Sequence, residues 1–318
     1  MKLDELGKFT RGVDRAALAE NPQKLQAHLR SLGIDPDNFY QELEMSSRYV
    51  DTHRDVSYSN SMVQLHSHSF YELIYCRNTC GVEYLVGSER YRLQKGDVIL
   101  VPPGVSHRPM LPESMTEPYK RDVLWISVEF FDKLRESFQD QRLYESTGTR
   151  LIRTAGTQWE NMGELFRLGV LEAERQDVGW EAAVTANTLM LLIQLRRAVI
   201  DKNARPLKAE KPELLDQVLA YIEENLDKKI TLADVAHRFY VSESTITQTF
   251  RRKLTVSFYR CVTQRRLIAA KTLIQTGIRL EEVGERVGFT DYSAFYRAFK
   301  QEYGISPRQY RKLQEAAE

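Results

Sequence analysis

TLADVAHRFYVSESTITQTFRRKL, residues 231–254, and LEEVGERVGFTDYSAFYRAFKQEY, residues 280–303, are two stretches built on one design. Each contains a helical pattern, an interruption and a second helical pattern, which is the sequence signature of a helix-turn-helix. In the first stretch Thr231 and Asp234 form a predicted capping box, and Ser242 is the predicted cap of the second helix. The C-terminal region is therefore predicted to be all-α, with two helix-turn-helix units.

The second helix of each unit has one apolar and one polar face. Ile246 and Phe250 lie four residues apart, as do Phe295 and Phe299, so one face of each helix is committed to a core. The polar faces offer amide groups for adenine, guanidinium groups for guanine, hydroxyls for either base and cations for phosphate. The predicted DNA-binding residues are Ser244, Thr247, Gln248, Arg251, Tyr292, Ser293, Tyr296, Arg297 and Lys300.

Two ordinary helical hairpins with solvated polar faces would show the same pattern, and for a single unit this alternative stays open. The repetition favours DNA binding, because Ala236 and Gly284 put a small residue at the same place in both units. The charge distribution points the same way. Residues 251–300 hold 11 Lys and Arg against 4 Asp and Glu, although the net charge of the chain is only +1. This cationic excess lies where a nucleic acid would bring its phosphates.

The run RRLIAAKTLIQTG, residues 265–277, and the run VGERVGFTDYSAFYRAFKQEYGISPRQYR, residues 283–311, resemble the DNA-binding domain of the arabinose-regulator (AraC-type) family of bacterial transcription regulators. The family has Gly in the turn of each unit. Gly288 supplies it in the second unit, whereas Tyr240 stands at the corresponding place in the first, where a left-handed backbone would be strained. The resemblance implies promoter DNA and RNA polymerase as partners, a homodimer, and activation of transcription.

Length and composition limit the number of domains and the class of protein. Its 318 residues are 42% hydrophobic, enough for two or three packed domains. The sequence shows neither an apolar run long enough to cross a bilayer nor the apolar core of a signal peptide, so we expect a cytoplasmic protein without a membrane partner. Cys76, Cys80 and Cys261 do not have the spacing of a zinc knuckle or redox motif, which predicts buried or reduced thiols.

The predicted fold is multidomain α+β. Residues 1–55 are predicted as an N-terminal helical extension. Residues 56–155 contain the period-two segments VQLHSHSFYELIYC, VEYLVGSERYRL, GDVILVPP and VLWISVEFF, which predict a small β-barrel. Residues 156–200 are predicted as two helices, which could cover the barrel or form a dimerisation seam, the role that the resemblance favours. Residues 201–212 are the predicted linker, and residues 213–318 the predicted DNA-binding domain.

Four polar residues in the barrel form the one cluster with metal-ligand spacing. His66, His68 and Glu72 share parity on a predicted strand, and His107 follows a Pro-Gly turn. They resemble the cupin double motif, in which HxHxxxE is followed by a Gly-to-His run that here begins at Gly96. Sensor barrels of AraC-type regulators resemble cupins and often keep such residues as polar lining for a small ligand. We therefore predict a ligand site without a cofactor, and a divalent metal at the same four residues is the alternative.

These features predict a ligand-responsive transcription regulator that is not an enzyme. Resemblance suggests a sugar or related polar metabolite as effector. A metal-dependent cupin enzyme fused to a DNA-binding domain is one alternative, and a constitutive DNA-binding protein whose barrel only dimerises is another. Four aromatic residues are expected in the barrel wall or core: Tyr71, Tyr75, Tyr84 and Trp125.

Overall fold

The computed structural model describes residues 45, 47–58, 65–112, 115, 117–138, 151–201 and 209–315. They form two compact units. The larger contains Met45–Asn225 and Ile230–Val262, and the smaller contains Leu226–Lys229 and Thr263–Glu318. The predicted extension up to residue 44 and most of the predicted linker, residues 202–208, lie outside the described residues.

The N-terminal half of the larger unit is an antiparallel β-structure of two sheets. Its strands are β1 Val50–Ser57, β2 Tyr71–Cys76, β3 Glu83–Val86, β4 Glu89–Arg92, β5 Asp97–Val101, β6 His107–Met110, β7 Tyr119–Ile126 and β8 Leu151–Arg153. One sheet has the order β1-β7-β2-β5-β8 and the other the order β4-β3-β6. The N-terminal domain is therefore β-rich, as the period-two segments predicted.

The five-stranded sheet is buried on both faces. Ile74 of β2 packs in the core that the two sheets share, whereas its neighbour Leu73 packs against the helices α2, Met162–Arg175, and α3, Trp180–Ile200. Because successive side chains of a strand point to opposite faces, both faces of this sheet carry apolar side chains. The predicted helices of residues 156–200 thus cover one face of this sheet.

Two predicted boundaries are wrong. Residues 50–55, predicted as part of the helical extension, belong to β1, which pairs with β7 along its whole length, from Val50 with Ile126 to Ser57 with Tyr119. The segment VLWISVEFF, predicted as one strand, changes structure at Ser127. The hydroxyl of Ser127 accepts a hydrogen bond from the Phe130 amide at 3.2 Å and starts helix α1, Val128–Ser137.

Among the described helices, α3 is long and apolar enough to cross a bilayer by length and composition. Its buried side chains include Val184, Leu191 and Leu195, which belong to the core that α3 shares with the five-stranded sheet. A core helix of a globular domain has the same length and composition. The core accounts for these three residues, and 28% of the apolar window of α3 is buried in this way.

Within residues 209–315, which the structure describes, the helices are α4 Leu214–Glu224, α5 Leu232–Arg238, α6 Glu243–Leu254, α7 Phe258–Gln275, α8 Leu280–Arg286, α9 Tyr292–Tyr303 and α10 Pro307–Glu315. The pairs α5/α6 and α8/α9 are the two predicted helix-turn-helix units. The predicted caps Thr231 and Ser242 are confirmed, since their side chains accept hydrogen bonds from the amides of Asp234 and Thr245, both at 3.1 Å. The C-terminal region is all-α, as expected.

The turns of the two units have the same backbone structure. Tyr240 has φ 55° and Gly288 has φ 84°, so both residues are left-handed. The amides that follow them donate to equivalent carbonyls, Val241 to Ala236 and Phe289 to Gly284, both at 3.0 Å. The correspondence predicted between Tyr240 and Gly288 is therefore correct, and Tyr240 accepts a backbone conformation that favours glycine.

Candidate functional sites

The outer face of α6 carries the residues predicted for the first DNA contact. Its inner face is fixed by Ile246, Phe250 and Leu254, all buried. This orientation leaves Ser244, Gln248 and Arg251 exposed and Thr247 half-buried. Gln248 and Arg251 line a surface groove of about 510 Å³ together with three residues that the sequence reasoning missed, Thr245, Thr249 and Arg252. Such a face offers hydroxyl, amide and guanidinium groups side by side.

The outer face of α9 repeats this arrangement in the smaller unit. Asp291 caps the helix by accepting a hydrogen bond from the Ala294 amide at 2.7 Å. With Phe295 and Phe299 fully buried, the predicted residues lie on the remaining surface. Ser293, Arg297 and Lys300 are exposed, and Tyr292 and Tyr296 are half-buried.

A second groove, of about 490 Å³, adjoins the start of α9. It contains Tyr292 and four basic residues that the sequence reasoning did not single out, against one acidic residue. Burial raises the pKa of Tyr292, an effect to which nearby Glu281 adds. The four basic residues are Arg279, Arg308, Arg311 and Lys312. The cationic excess of residues 251–300 includes only Arg279 of these four, and the fold brings this residue, at the start of α8, beside the three basic residues of α10.

Three of the four predicted barrel residues converge. The side-chain donor atoms of His68, Glu72 and His107 lie within 4.8 Å of one another, and all three residues are buried. Glu72 Oε2 is 3.1 Å from His107 Nε2 and 3.6 Å from His68 Nε2. We call these three residues the barrel cluster. His66 lies beside it, with its ring centroid 4.2 Å from that of His107.

The predicted strand through all of His66, His68 and Glu72 is wrong, because β2 begins only at Tyr71. His66 makes a single antiparallel bridge to His107, with backbone hydrogen bonds of 2.9 and 3.2 Å. His68 lies in the following loop, where its carbonyl accepts a hydrogen bond from the Gly104 amide at 2.8 Å. The cluster is therefore assembled by tertiary contacts rather than by the parity of one strand.

The hydrogen bonds of the two imidazoles orient their rings. His68 Nδ1 lies 2.8 Å from the Phe70 carbonyl oxygen, and His107 Nδ1 lies 2.9 Å from that of Val105. A carbonyl oxygen can only accept, so each Nδ1 carries a proton and each ring turns its Nε2 atom towards Glu72. Among the described residues, both Nε2 atoms and Glu72 Oε2 are buried without a hydrogen-bond partner.

Charge and burial have opposite effects on the pKa values of the cluster residues. Burial lowers the pKa of His68, against the opposing effect of the Glu72 carboxylate. For Glu72, burial alone would raise the pKa, but the interactions with His107 and His68 outweigh it and hold the pKa well below its ordinary value. An ionised carboxylate thus faces the Nε2 atoms of two imidazoles. A hydroxyl group placed among these atoms, which both donates and accepts, or a cation bound by unprotonated Nε2 atoms, would satisfy all three groups.

The cluster fits a divalent metal by donor type and spacing. Two imidazoles and one carboxylate are a frequent protein ligand set for zinc and for non-haem iron. Ligand atoms about 2.1 Å from one ion lie about 3.0–3.4 Å apart in tetrahedral or octahedral geometry. The two separations that involve Glu72, 3.1 and 3.6 Å, are close to this range, and all three donor atoms lie within 4.8 Å of one another. His68, Glu72 and His107 are the residues that would hold such an ion.

Of the four aromatic residues predicted in the barrel wall or core, two contact the barrel cluster and two pack elsewhere. Trp125 donates from Nε1 to Glu72 Oε1 at 2.9 Å, and the ring of Tyr84 lies 19° from parallel to that of His107. Phe70, which the sequence reasoning missed, stacks on His68 at a centroid distance of 4.0 Å. Tyr71 and Tyr75, on the other face of β2, pack instead with the helices outside the barrel.

Comparisons with known proteins match both halves of the chain. The model of an AraC-like ligand binding domain matches residues 52–143. The model of a helix-turn-helix domain matches residues 235–313. These two ranges contain the barrel cluster and the second helix of each helix-turn-helix unit, α6 and α9.

Relatives of known family align across both regions. The HTH-type transcriptional activator RhaS of Salmonella arizonae is 26% identical over 79% of this chain and 88% of its own length. The arabinose operon regulatory protein of Salmonella typhimurium is 26% identical over 70% of this chain and 77% of its own length. Among solved structures, the C-terminal domain of AraT from Geobacillus stearothermophilus is 29% identical, covers 31% of this chain and 84% of that chain, and has a TM-score of 0.31. The chain belongs to the AraC-type family of transcriptional regulators, with an AraC-like ligand-binding domain and a DNA-binding helix-turn-helix domain.

Proposed function

We propose that this chain is a cytoplasmic regulator that binds promoter DNA through α6 and α9 and responds to a small polar effector held by the barrel. The DNA part rests on two capped helices that each bury one aromatic or aliphatic face and present hydroxyl, amide and cationic groups on the other. The effector part rests on the barrel cluster. The observation that carries the proposal is that three buried atoms of the cluster have no hydrogen-bond partner among the described residues: His68 Nε2, Glu72 Oε2 and His107 Nε2.

The cluster suggests the chemistry of the effector. A carboxylate accepts hydrogen bonds, and an imidazole Nε2 donates or accepts according to its protonation, so the cluster suits a ligand with hydroxyl groups, which do both. His66 and Trp125 border the cluster and complete the proposed ligand-binding set with His68, Glu72 and His107. One relative is an arabinose operon regulatory protein, which supports a sugar or related polyol as the effector class. Another is a transcriptional activator, which supports activation through RNA polymerase.

The test begins with a selection of the genomic DNA fragments that the wild-type chain binds. The affinity of the chain for a selected duplex is then measured with and without each member of a panel of sugars and polyols. An effector acts through its different affinities for two states of the protein, so a true effector changes the apparent Kd for the selected duplex. His68→Ala should keep basal DNA binding and lose this change. If no panel member altered DNA binding or thermal stability, the effector proposal would fail while the DNA-binding proposal would stand.

A divalent metal centre is the second candidate for the same cluster, favoured by the separations between its three donor atoms. A resident metal would stabilise the barrel, because its ligands are assembled only in the folded chain. Metal analysis of the purified chain and a melting curve with and without chelator distinguish the candidates. Stoichiometric metal, a lower Tm in chelator and the loss of both in Glu72→Gln would favour the metal. Turnover of a substrate by the metal-loaded chain would further favour a fused cupin enzyme over our proposal that the chain has no catalytic role.

We also propose that the chain acts as a homodimer that pairs through α3. Met190 and Ile200 expose about half of their apolar side chains, 48% and 54%, on the side of α3 that does not pack on the barrel. Removing such apolar surface from water is a common driving force for homodimer formation. The family of the chain supports the same arrangement.

A further inference from the structure

Strand β6 lies between the barrel cluster and the first helix-turn-helix, all within the larger compact unit. Its residue His107 belongs to the cluster. The residues on either side contact helices on the opposite face. Ser106 Oγ lies 3.3 Å from Glu223 Oε1 of α4, and Arg108 donates from Nη1 to the carbonyl of Leu254 at 2.8 Å. Leu254 is the last residue of α6, the first recognition helix.

The contact of Arg108 joins a cation to a helix C-terminus. The last carbonyls of a helix lack partners within the helix and carry the negative end of its dipole. Arg108 is only 2% exposed, so it meets this carbonyl in a water-poor environment where the hydrogen bond is strong. Burial lowers the pKa of Arg108 to about 10, which still leaves the guanidinium charged at neutral pH.

A second arginine attaches the barrel to the start of α4. Arg90 of β4 is 4% exposed and lies 2.7 Å from Glu83, 2.9 Å from Glu213 and 3.2 Å from Asp216. Glu213 and Asp216 form the capping box of α4, in which the Glu213 amide donates to Asp216 at 2.8 Å. Glu213 also pairs with Lys253 in the last turn of α6. The N-terminus of α4 and the C-terminus of α6 are thus held at one charged surface.

We propose that this surface of the barrel, formed by Arg90, Ser106 and Arg108, is an intramolecular docking site for α4 and α6, and that β6 passes changes at the barrel cluster to the end of α6. The alternation of β6 supplies the physical route, because any shift of His107 along or across the strand also moves Ser106 and Arg108. This inference rests on the proposed ligand-binding role of the cluster for its biological purpose. The docking itself requires no ligand.

Hydrogen exchange of the full chain tests the docking. Arg108→Met keeps an unbranched, largely apolar side chain and removes the guanidinium donors, and Arg92→Met on the exposed side of β4 is the matched control. We expect amides of residues 251–257 to exchange at least tenfold faster in Arg108→Met and at the wild-type rate in Arg92→Met. Wild-type exchange in both variants would refute the docking. If Arg108→Met does not fold, Arg90→Gln provides the same measurement at residues 213–217.

A double-mutant cycle tests the transmission. Glu72→Gln alters the cluster from β2, without a change in β6, and should speed the exchange of residues 251–257 several-fold when Arg108 is present. In the Arg108→Met background Glu72→Gln should add nothing at these residues. Additive effects would show that the cluster does not act through Arg108. This readout uses neither effector nor DNA, so its failure is distinct from a failure to find a metabolite that changes DNA binding.

Discussion

Arg297 and Lys300 lie on the same outer face of α9, three residues apart, and we expect them to contact different parts of DNA. Both are exposed. A guanidinium in the middle of a recognition helix can form two hydrogen bonds to guanine, whereas an ammonium near the helix end meets phosphate. Arg297→Ala should weaken binding to the selected duplex by about 1–3 kcal/mol and relax base choice at one position.

Two further variants distinguish base recognition by Arg297 from contact with the phosphates. Lys300→Ala should weaken selected and random duplexes alike and reduce the slope of log K against log salt by about 1. Arg286→Ala, an exposed arginine of α8 that pairs with Glu282 at 2.6 Å, should change neither quantity by as much. Equal losses of Arg297→Ala on selected and random DNA would assign that side chain to phosphate contact instead.

The three cysteines are free thiols in unlike environments. Cys76 and Cys261 are fully buried, and burial raises the pKa of each to about 12. Cys80 is partly exposed, and burial raises its pKa less. Because the thiolate is the reactive form, alkylation of the native chain at pH 8 should be confined to Cys80 and slow, with all three thiols reacting in denaturant. Rapid native labelling of Cys76 or Cys261, detected by mass spectrometry, would contradict this assignment.

At the scale of the elements, the turns of the two helix-turn-helix units differ in what surrounds them. A Cβ at Gly288 would meet the Leu226 carbonyl oxygen at 2.1 Å, within the smaller unit. Gly288→Ala therefore adds a steric clash to the cost of a left-handed backbone and should destabilise by at least about 2 kcal/mol. Gly304→Ala is the matched control, since Gly304 also has positive φ, 72°, but nothing lies within 4 Å of its added Cβ.

In the turn of the first unit, we expect a substitution to increase stability. Tyr240 is left-handed and 94% exposed, so its side chain contributes little packing against the strain of its backbone. Tyr240→Gly should relieve about 1–2 kcal/mol of strain against an entropic cost of about 0.5–1 kcal/mol, for a net gain of about 0–1.5 kcal/mol. Thermal unfolding measures all three variants. Equal losses of stability in Gly288→Ala and Gly304→Ala would show that the backbone moves and relieves the clash with the Leu226 carbonyl oxygen.

At the scale of the whole molecule, the proposed homodimer gives a concentration-dependent prediction. Met190→Glu puts a charge in the exposed apolar surface of α3 and should weaken self-association at least tenfold, because that charge would lose water on pairing. Lys95→Glu, in an exposed loop of the barrel, is the charge-change control. Sedimentation of the two variants and the wild type decides the question. A wild-type chain that remains monomeric at micromolar concentrations, or an unaffected Met190→Glu dimer, would refute pairing through α3.

Local signals in the sequence were enough to predict both helix-turn-helix units. Capping residues such as Thr231 and Ser242, the four-residue spacing of Phe295 and Phe299, and a left-handed turn position act within a few residues of themselves, so they can be recognised from the order of residues alone. The same holds for the period-two segments of the β-domain. The strand predicted through Ser127 was wrong because a single hydroxyl changed the local hydrogen bonding.

Only the tertiary structure decided what the barrel residues do. The sequence identified His68, Glu72 and His107, but their convergence depends on a loop and two strands rather than on one strand's parity. It gave no sign that Trp125 binds Glu72 or that Arg90 and Arg108 reach α4 and α6, since these contacts join residues 53, 126 and 146 positions apart. Sequence periodicity reports which face of an element is buried; which distant side chain it meets is determined when the sheets and helices pack.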